Sequence, residues 1–273
     1  MGHTYIVGEV AACHDSSLDK AFRLIGLCAA IGCDAVKTQW LSSPDRLAER
    51  RHAPEYLAAY RTLAFPREWF PSLKRACEDR GIELIATCYL PEDLAVVAPY
   101  VKRFKIASFE ATDAHFIALH AEFGKSLIVS LGMAADPGAI LNAWARAGGK
   151  QANVTLLHCL SAYPAPAEEM NLRRLRNLRD YRGYRIGLSD HSRHPWTGAL
   201  AVAVGDVDVI EFHVRLDDTD SANADYAVAR TPEESLDYVR NIRFAEQVLG
   251  SGDRRVMPSE EPYLRYRVGA PPA

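Results

Sequence analysis

The chain has 273 residues, and its 32 basic and 35 acidic side chains give a net charge of −3 at pH 7. Hydrophobic residues make up 48% and charged residues 25%, which excludes a disordered chain, a collagen and a coiled coil. A charge so near zero gives no electrostatic reason to expect nucleic acid as a partner. The length suits one large domain or two small ones.

The sequence gives no sign of membrane insertion or secretion. Its longest apolar run, Leu24 to Cys33, is far shorter than the roughly 20 residues that span a bilayer. A strand pattern begins already at Tyr5, so we expect no signal peptide. The six cysteines form no C-x-x-C pair, which is typical of reduced thiols in a cytoplasmic protein.

Short β-rich runs alternate with amphipathic stretches along the whole chain. They predict strands at residues 4–10, 34–39, 82–87, 103–107, 126–131, 153–158, 184–190 and 207–213. Helices are predicted at residues 18–31, 69–79, 114–123, 137–147, 172–179, 196–204 and 232–249. Eight such units in about 250 residues predict an α/β fold, a single-domain (β/α)8 TIM barrel over residues 1–250, with a C-terminal tail at 251–273.

One connection, residues 40–66, is much longer than the others. Pro54-Glu55-Tyr56 and Arg61 predict a short helix there, and a loop that folds over a site. No G-x-G-x-x-G follows the first strand, which counts against a dinucleotide-binding sheet.

Active sites of such barrels lie at the carboxyl ends of the strands, and every predicted strand has polar residues there. These residues are Glu9, His14, Lys37, Gln39, Thr87, Lys105, Ser108, Glu110, Ser130, His158, Ser161, Tyr163, Ser189, Asp190, His191, Glu211 and His213. For a single Ser or Thr, capping the following helix is the more common role.

Two lysines at strand ends, Lys37 and Lys105, need an anionic partner inside a barrel mouth. Nearby hydroxyl groups would complete a phosphate site with these two point charges. The hydroxyls belong to Thr87, Ser108, Ser130 and Ser189. Separate salt bridges for the two lysines are the alternative.

Two histidines, His191 and His213, end adjacent predicted strands and are placed to share one metal ion. With Glu9 and Asp190 nearby, we expect metal binding or acid–base work from them, although any single histidine is more often a core or surface residue. The residues alone thus predict a barrel enzyme that acts on a phosphorylated anion with a divalent metal.

Several motifs, in order, resemble the N-acetylneuraminate synthase family, whose members make sialic, pseudaminic and legionaminic acids. The motifs are Lys105-Ile106-Ala107-Ser108-Phe109-Glu110, Ser130-Leu131-Gly132-Met133, Leu156-Leu157-His158-Cys159 with Tyr163-Pro164-Ala165-Pro166, Gly187-Leu188-Ser189-Asp190-His191 and Val209-Ile210-Glu211-Phe212-His213. The resemblance covers the barrel from Ile6 to about Leu249.

The resemblance implies that the chain condenses phosphoenolpyruvate with an aldose and releases phosphate. It matches phosphoenolpyruvate-binding positions to Lys37, Thr87, Lys105, Ser108, Ser130, Ser161 and Ser189. It matches His191 and His213 to the ligands of a divalent metal, Mn²⁺ or alternatively Co²⁺ or Mg²⁺, and Tyr163 and Asp225 to the sugar site. We expect catalytic roles for Glu9, Glu110, Asp190 and Tyr163, and a homodimer.

The chain also departs from the family pattern. Cys13 stands where the family has Asn, Phe109 where it has Gly, Cys88 where it has Pro, and Phe212 where it has a basic residue. Because the sequence stops at Ala273, we expect it to lack the C-terminal antifreeze-like domain that normally lends an Arg to the partner's sugar site.

These departures predict an acceptor other than N-acetylmannosamine, or one held by different contacts. Substitute cations would come from the 40–66 connection, which carries Arg46, Arg50, Arg51 and His52. A pyruvate/aldehyde aldolase of the same fold and an inactive sugar-phosphate-binding subunit are the alternative functions.

Overall fold

In the computed structural model, which describes residues 3–269, eight parallel strands close into a barrel in chain order. The strands are β1 (Tyr5–Glu9), β2 (Ala35–Trp40), β3 (Glu83–Cys88), β4 (Arg103–Ile106), β5 (Ser126–Ser130), β6 (Val154–Cys159), β7 (Arg185–Asp190) and β8 (Val209–His213). β8 closes the ring against β1, with Glu9 opposite His213. The predicted TIM barrel and its eight strands are confirmed.

Helices follow the strands and cover the outside of the barrel. They are α1 (Leu18–Ala30), α2 (Pro44–Arg50), α3 (Leu57–Leu63), α4 (Phe70–Glu78), α5 (Asp93–Val97), α6 (Ala114–Glu122), α7 (Pro137–Arg146), α8 (Arg174–Leu178), α9 (Thr197–Gly205) and α10 (Pro232–Leu249). Polar side chains begin several of them, as Ser17 does for α1 and Asp136 for α7. Thr231 and Glu234 form a capping box at the start of α10.

Two helices, α2 and α5, were not predicted. After Asp93, the residues of α5 form an unbroken apolar run up to Pro99, so no polar spacing reveals a helical period. The long connection contains α2, a 3-10 turn at Pro54–Tyr56, and α3, in line with the predicted short helix and loop. We call residues 41–66 the wall segment.

The inside of the barrel is filled by apolar side chains, so a ligand cannot pass through it. This inner cluster consists of Val7, Ala35, Ile85, Ile128, Leu157 and Val209. Gly187 of β7 is required here, because a Cβ would overlap the Val209 carbonyl and the Leu157 side chain. A site can therefore form only beyond this layer, at an end of the barrel.

The chain beyond α10 is exposed as far as the structure describes it. Residues 251–269 contain a 3-10 turn at Glu261–Tyr266 and bury none of their side chains. The rest of the predicted tail, residues 270–273, lies outside the described residues. Among residues 3–269, no helix has the length and apolar character that crossing a membrane requires.

Candidate active site

A pocket of about 1060 Å³ opens at the carboxyl ends of the strands. It brings together most of the predicted site residues: Lys37, Lys105, Ser108, Glu110, Ser130, Ser161, Tyr163, Ser189, His191, His213 and Asp225. The first ten lie on strands or directly after them. Asp225 comes from the loop that follows β8.

Three charged side chains, Lys37, Lys105 and Glu211, line the bottom of the pocket, and Glu9 lies beneath them; we call these four residues the pocket floor. Lys37 contacts Glu9 and lies 3.2 Å from Glu211 Oε1, and Lys105 lies 3.8 Å from the same oxygen. All four side chains are buried. Glu211 thus bridges the two lysines, a role that the sequence did not reveal.

The floor residues influence one another's ionisation. Burial raises the pKa of Glu9 to about 7 in spite of Lys37. Burial also opposes the charge of Glu211, but Lys105 and Lys37 lower its pKa to about 2. Burial lowers the pKa of Lys105 to about 8, whereas the two carboxylates outweigh burial for Lys37 and raise its pKa to about 12. Of the two floor lysines, Lys105 therefore has the lower pKa and loses its proton first as the pH rises.

Hydroxyl groups surround the two ammonium groups. Lys105 Nζ donates to Ser130 Oγ at 2.8 Å, and Lys37 Nζ lies 3.4 Å from Thr87 Oγ1. Ser189 Oγ donates to Glu211 Oε1 at 3.0 Å. This combination of two cations with neutral donors suits a phosphorylated anion.

A second group of polar atoms lies beside Lys105, around Gly132. The Gly132 N–H donates to Ser108 Oγ at 3.2 Å, and a Cβ at this position would overlap both Ser108 Oγ and Ser161 Oγ. Ser161 Oγ is buried and has no hydrogen-bond partner in the described part of the chain. It is therefore available to a ligand.

The two predicted metal ligands lie side by side, with ring centroids 5.2 Å apart. His191 Nδ1 donates to the Leu160 carbonyl at 2.8 Å, which leaves its Nε2 free as a ligand. Burial lowers the pKa of His213 well below its usual range, so its ring is neutral, as metal binding requires. His213 Nδ1 is buried without a hydrogen-bond partner in residues 3–269, and Asp225 Oδ1 is 3.6 Å away.

Two imidazoles alone would leave most positions of a cation to other ligands. No group of three or more His, Cys, Asp or Glu side chains in the described residues has the arrangement of a metal site. Tyr163 lies over this pair, with its ring centroid 4.2 Å from that of His191.

The wall segment closes one side of the pocket with Arg50, Arg51, Tyr56, Tyr60 and Leu63. Of the four substitute cations predicted in this region, only these two arginines line the pocket. Arg46 pairs with Glu92 at the surface, and His52 is exposed. Arg50 bonds to Asp113 at 2.6 Å, and Arg51 bonds to Glu110 at 2.6 and 2.7 Å.

A model of the NeuB family matches residues 24–254. The chain belongs to this family. It is 34% identical over 265 residues to the uncharacterized protein MJ1065 of Methanocaldococcus jannaschii, covering 94% of this chain and 75% of that protein. It is 30% identical over 283 residues to the pseudaminic acid synthase of Campylobacter jejuni, covering 97% and 80%. Like its relatives that are named synthases, this NeuB family member is an enzyme.

A solved relative has the same architecture. The N-acetylneuraminic acid synthetase of Leptospira borgpetersenii, in complex with citrate, superposes with a TM-score of 0.85 at 27% identity. The match covers 97% of this chain and 92% of that one.

Asp190 is not in the pocket of this NeuB family member, against our prediction of a catalytic role. It is fully buried on the outer side of β7, where it accepts hydrogen bonds from Arg230 at 2.9 Å and Tyr238 at 2.6 Å. Successive residues of a strand point to opposite faces, so Ser189 points inward and Asp190 outward. The same alternation turns His158 outward to the Met170 carbonyl and brings Cys159 into the pocket.

Glu9 and Thr87 lie below the pocket surface instead of lining it. Both are fully buried, and both contact Lys37, which does line the pocket. Sequence reasoning missed Tyr89, which follows β3 and lines the pocket. Its position just after a strand end, two residues beyond Thr87, could have marked it as a site residue. An aromatic side chain at such a position is easily mistaken for a residue of the hydrophobic core.

Proposed function

We propose that this enzyme condenses phosphoenolpyruvate with an aldose to give a 3-deoxy-2-ulosonic acid and inorganic phosphate. The observation that carries the proposal is the pocket floor, where Lys37 and Lys105 are surrounded by hydroxyl groups. Two buried cations surrounded by neutral hydrogen-bond donors can bind an anion that carries both a phosphate and a carboxylate. The named synthases among its relatives support the same reaction class.

Phosphoenolpyruvate would bind above the floor. Its anionic groups would meet Lys37 and Lys105, with neutral donors around them. These donors are the Ser108, Ser130, Ser161 and Ser189 hydroxyls and the Gly132 N–H, and Thr87 would support Lys37 from below. The negative charge of Glu211 keeps the two ammonium groups together when no substrate is bound.

His191 and His213 would hold a divalent cation, Mn²⁺ in the first place and Co²⁺ or Mg²⁺ as alternatives. When bound, such a cation polarises an aldehyde oxygen. The acceptor would lie beside it, between Tyr163, Asp225 and Glu110.

In the reaction, C3 of phosphoenolpyruvate forms a bond to the aldehyde carbon while its double bond opens, which leaves a cationic C2. Water adds to C2, and the resulting hemiketal phosphate loses inorganic phosphate by cleavage of its C–O bond. Glu9 or Glu110 would take one proton from the attacking water, and the aldehyde oxygen would take up one proton to become a hydroxyl. The proton of the C2 hydroxyl would leave with the phosphate as the C2 ketone forms. Glu110 lines the pocket, and its Oε2 has no hydrogen-bond partner in the described residues. Glu9 lies beneath the pocket and would act through its contact with Lys37.

The acceptor would be an aldose other than N-acetylmannosamine, or N-acetylmannosamine held by different contacts. The half-exposed Phe109 beside Glu110 adds bulk to the pocket mouth. Arg50 and Arg51 place two cations on the acceptor side, each already paired with a carboxylate.

The test is release of phosphate from phosphoenolpyruvate with a panel of aldoses, with and without Mn²⁺. The panel contains N-acetylmannosamine, its 6-phosphate, 6-deoxy diamino hexoses and simple pentoses. We expect phosphate release only with an aldose present. A product formed from pyruvate without phosphate release would indicate an aldolase, and binding without turnover would indicate an inactive subunit.

We propose a homodimer as the working form. Large exposed side chains are concentrated on neighbouring helices, with Trp196 and Leu200 at α9 and Phe244 and Val248 on α10, and continue into residues 251–269. Exposed apolar side chains grouped on neighbouring helices favour a protein partner. Light scattering at micromolar concentration tests this; a monomer would contradict it.

The six unpaired thiols support a reducing, cytoplasmic location.

A further inference from the structure

We infer that Arg51 is a positioning residue that fixes the orientation of Glu110 toward the acceptor. The inference rests on the proposed function and adds to it a residue from the wall segment. It is drawn from one ion pair, from the rings around that pair, and from one free oxygen atom.

The ion pair uses only one oxygen of Glu110. Arg51 Nε and Nη2 both bond to Oε1, at 2.7 and 2.6 Å. The other oxygen, Oε2, is buried and has no hydrogen-bond partner within residues 3–269, although Glu110 lines the pocket. The carboxylate is thus held on one side and available on the other.

Three aromatic rings hold the Arg51 guanidinium in place. Its central carbon lies 4.7 Å from the ring centroid of Phe109, 4.8 Å from that of Tyr89 and 5.5 Å from that of Tyr60. A guanidinium packed among rings cannot swing away without losing these contacts. Because Arg51 is fixed, the carboxylate bonded to it is fixed as well.

The surroundings explain why Glu110 needs this partner. Burial raises its pKa, while Arg51 opposes the rise, with weaker help from Arg50 and Lys105. A carboxylate that is paired with a guanidinium through one oxygen is a strong hydrogen-bond acceptor at the other. The free Oε2 would therefore receive an O–H or N–H group of the aldose.

The ion pair of the neighbouring Arg50 is more exposed to solvent than that of Arg51. Arg50 pairs with Asp113 in a more open place, where the two side chains are 26% and 35% exposed. Water screens such a pair, so it contributes less to orientation. Arg51 and Glu110, at 16% and 3%, form the shielded pair of the wall segment.

The experiment is a double-mutant cycle with Arg51→Gln and Glu110→Gln, read as kcat/KM for the aldose that the wild-type enzyme prefers. We expect each single variant to lose about tenfold to a hundredfold, as for a charged hydrogen bond. The double variant should lose no more than Glu110→Gln alone, because Arg51 acts through Glu110. The KM for phosphoenolpyruvate should stay within about twofold.

Arg46→Gln is the matched control, since Arg46 lies on α2, which ends directly before Arg51, and pairs with Glu92 away from the pocket. Arg51→Lys keeps the charge but not the two-nitrogen grip, so it should recover part of the loss; it also replaces Arg51→Gln if that variant does not fold. Additive losses, or equal changes in the KM of both substrates, would overturn the inference. If the wild type releases no phosphate with any aldose, the proposed function fails; if it does and Arg51→Gln matches it, only this inference fails.

Discussion

The ammonium group of Lys105 donates a 2.8 Å hydrogen bond to the hydroxyl of Ser130, which lies on the next strand of the barrel. Its closest carboxylate oxygen in the described chain, on Glu211, is 3.8 Å away and is shared with Lys37. The positive charge of Lys105 is therefore only partly compensated by the protein. A bound anion would complete its environment.

The first prediction concerns the removal of this charge. Lys105→Ala should raise the KM for phosphoenolpyruvate or lower kcat by about tenfold to a hundredfold, because a lost charged hydrogen bond costs about 1.5–3 kcal/mol. Steady-state kinetics and a thermal melt measure the two effects separately. Lys102→Ala, at an exposed neighbouring position, is the control. Unchanged kinetics would remove Lys105 from the site.

The second prediction concerns pH. Because burial lowers the pKa of Lys105 to about 8, its ammonium form is lost as the pH rises through that value. We expect kcat/KM for phosphoenolpyruvate, which reports the free enzyme, to fall above about pH 8. In Lys105→Arg the fall should move to much higher pH, since a guanidinium does not deprotonate. An unchanged profile in this variant would assign the fall to another group.

The third prediction follows from the outward position of Asp190. Asp190→Asn should leave the buried Arg230 without its anionic partner, at a loss of about 3–5 kcal/mol of folding stability. In a domain of this size we expect the Tm to fall by roughly 10 °C. Turnover per folded molecule should persist below the melt. Asp217→Asn, at the surface, is the control, and loss of turnover with an unchanged Tm would restore a catalytic role for Asp190.

The strand pattern predicted the barrel because a parallel strand buried on both faces is a short apolar run with polar residues at its end. The same pattern located Lys37, Lys105 and the histidine pair. It could not tell inward from outward at the last residues of a strand, so Asp190 and His158 were placed among the candidates for the site. The Arg51–Glu110 pair was out of reach, because it joins residues 59 positions apart through a loop of irregular geometry.

The fourth prediction concerns the bond that breaks. In ¹⁸O-labelled water, the label should enter the C2 oxygen of the ulosonic acid, and the released phosphate should carry none. Attack of water on C2 followed by C–O cleavage requires this outcome. Mass spectrometry of both products decides it, and labelled phosphate would mean attack at phosphorus.

The fifth prediction concerns the metal. Chelation should abolish turnover, and added Mn²⁺ should restore it. His213→Ala should bind less metal per chain, as measured by elemental analysis after dialysis against Mn²⁺, because one of only two imidazole donors is gone. His115→Ala, which changes an exposed histidine, should bind metal as the wild type does. Equal metal content in His213→Ala would exclude His213 as a ligand.

The wall segment shares a small apolar cluster with the residues that follow β3, in which Leu41, Leu47 and Tyr60 pack with Tyr89 and Leu90. It begins after β2 and ends before α4, and it meets the catalytic side of the barrel through two ion pairs, Arg50–Asp113 and Arg51–Glu110. A graft of the wall segment between members of the family would therefore have to include the two carboxylates together with Tyr89 and Leu90. Under the proposed function, such a graft would exchange contacts to the aldose and leave the pocket floor unchanged.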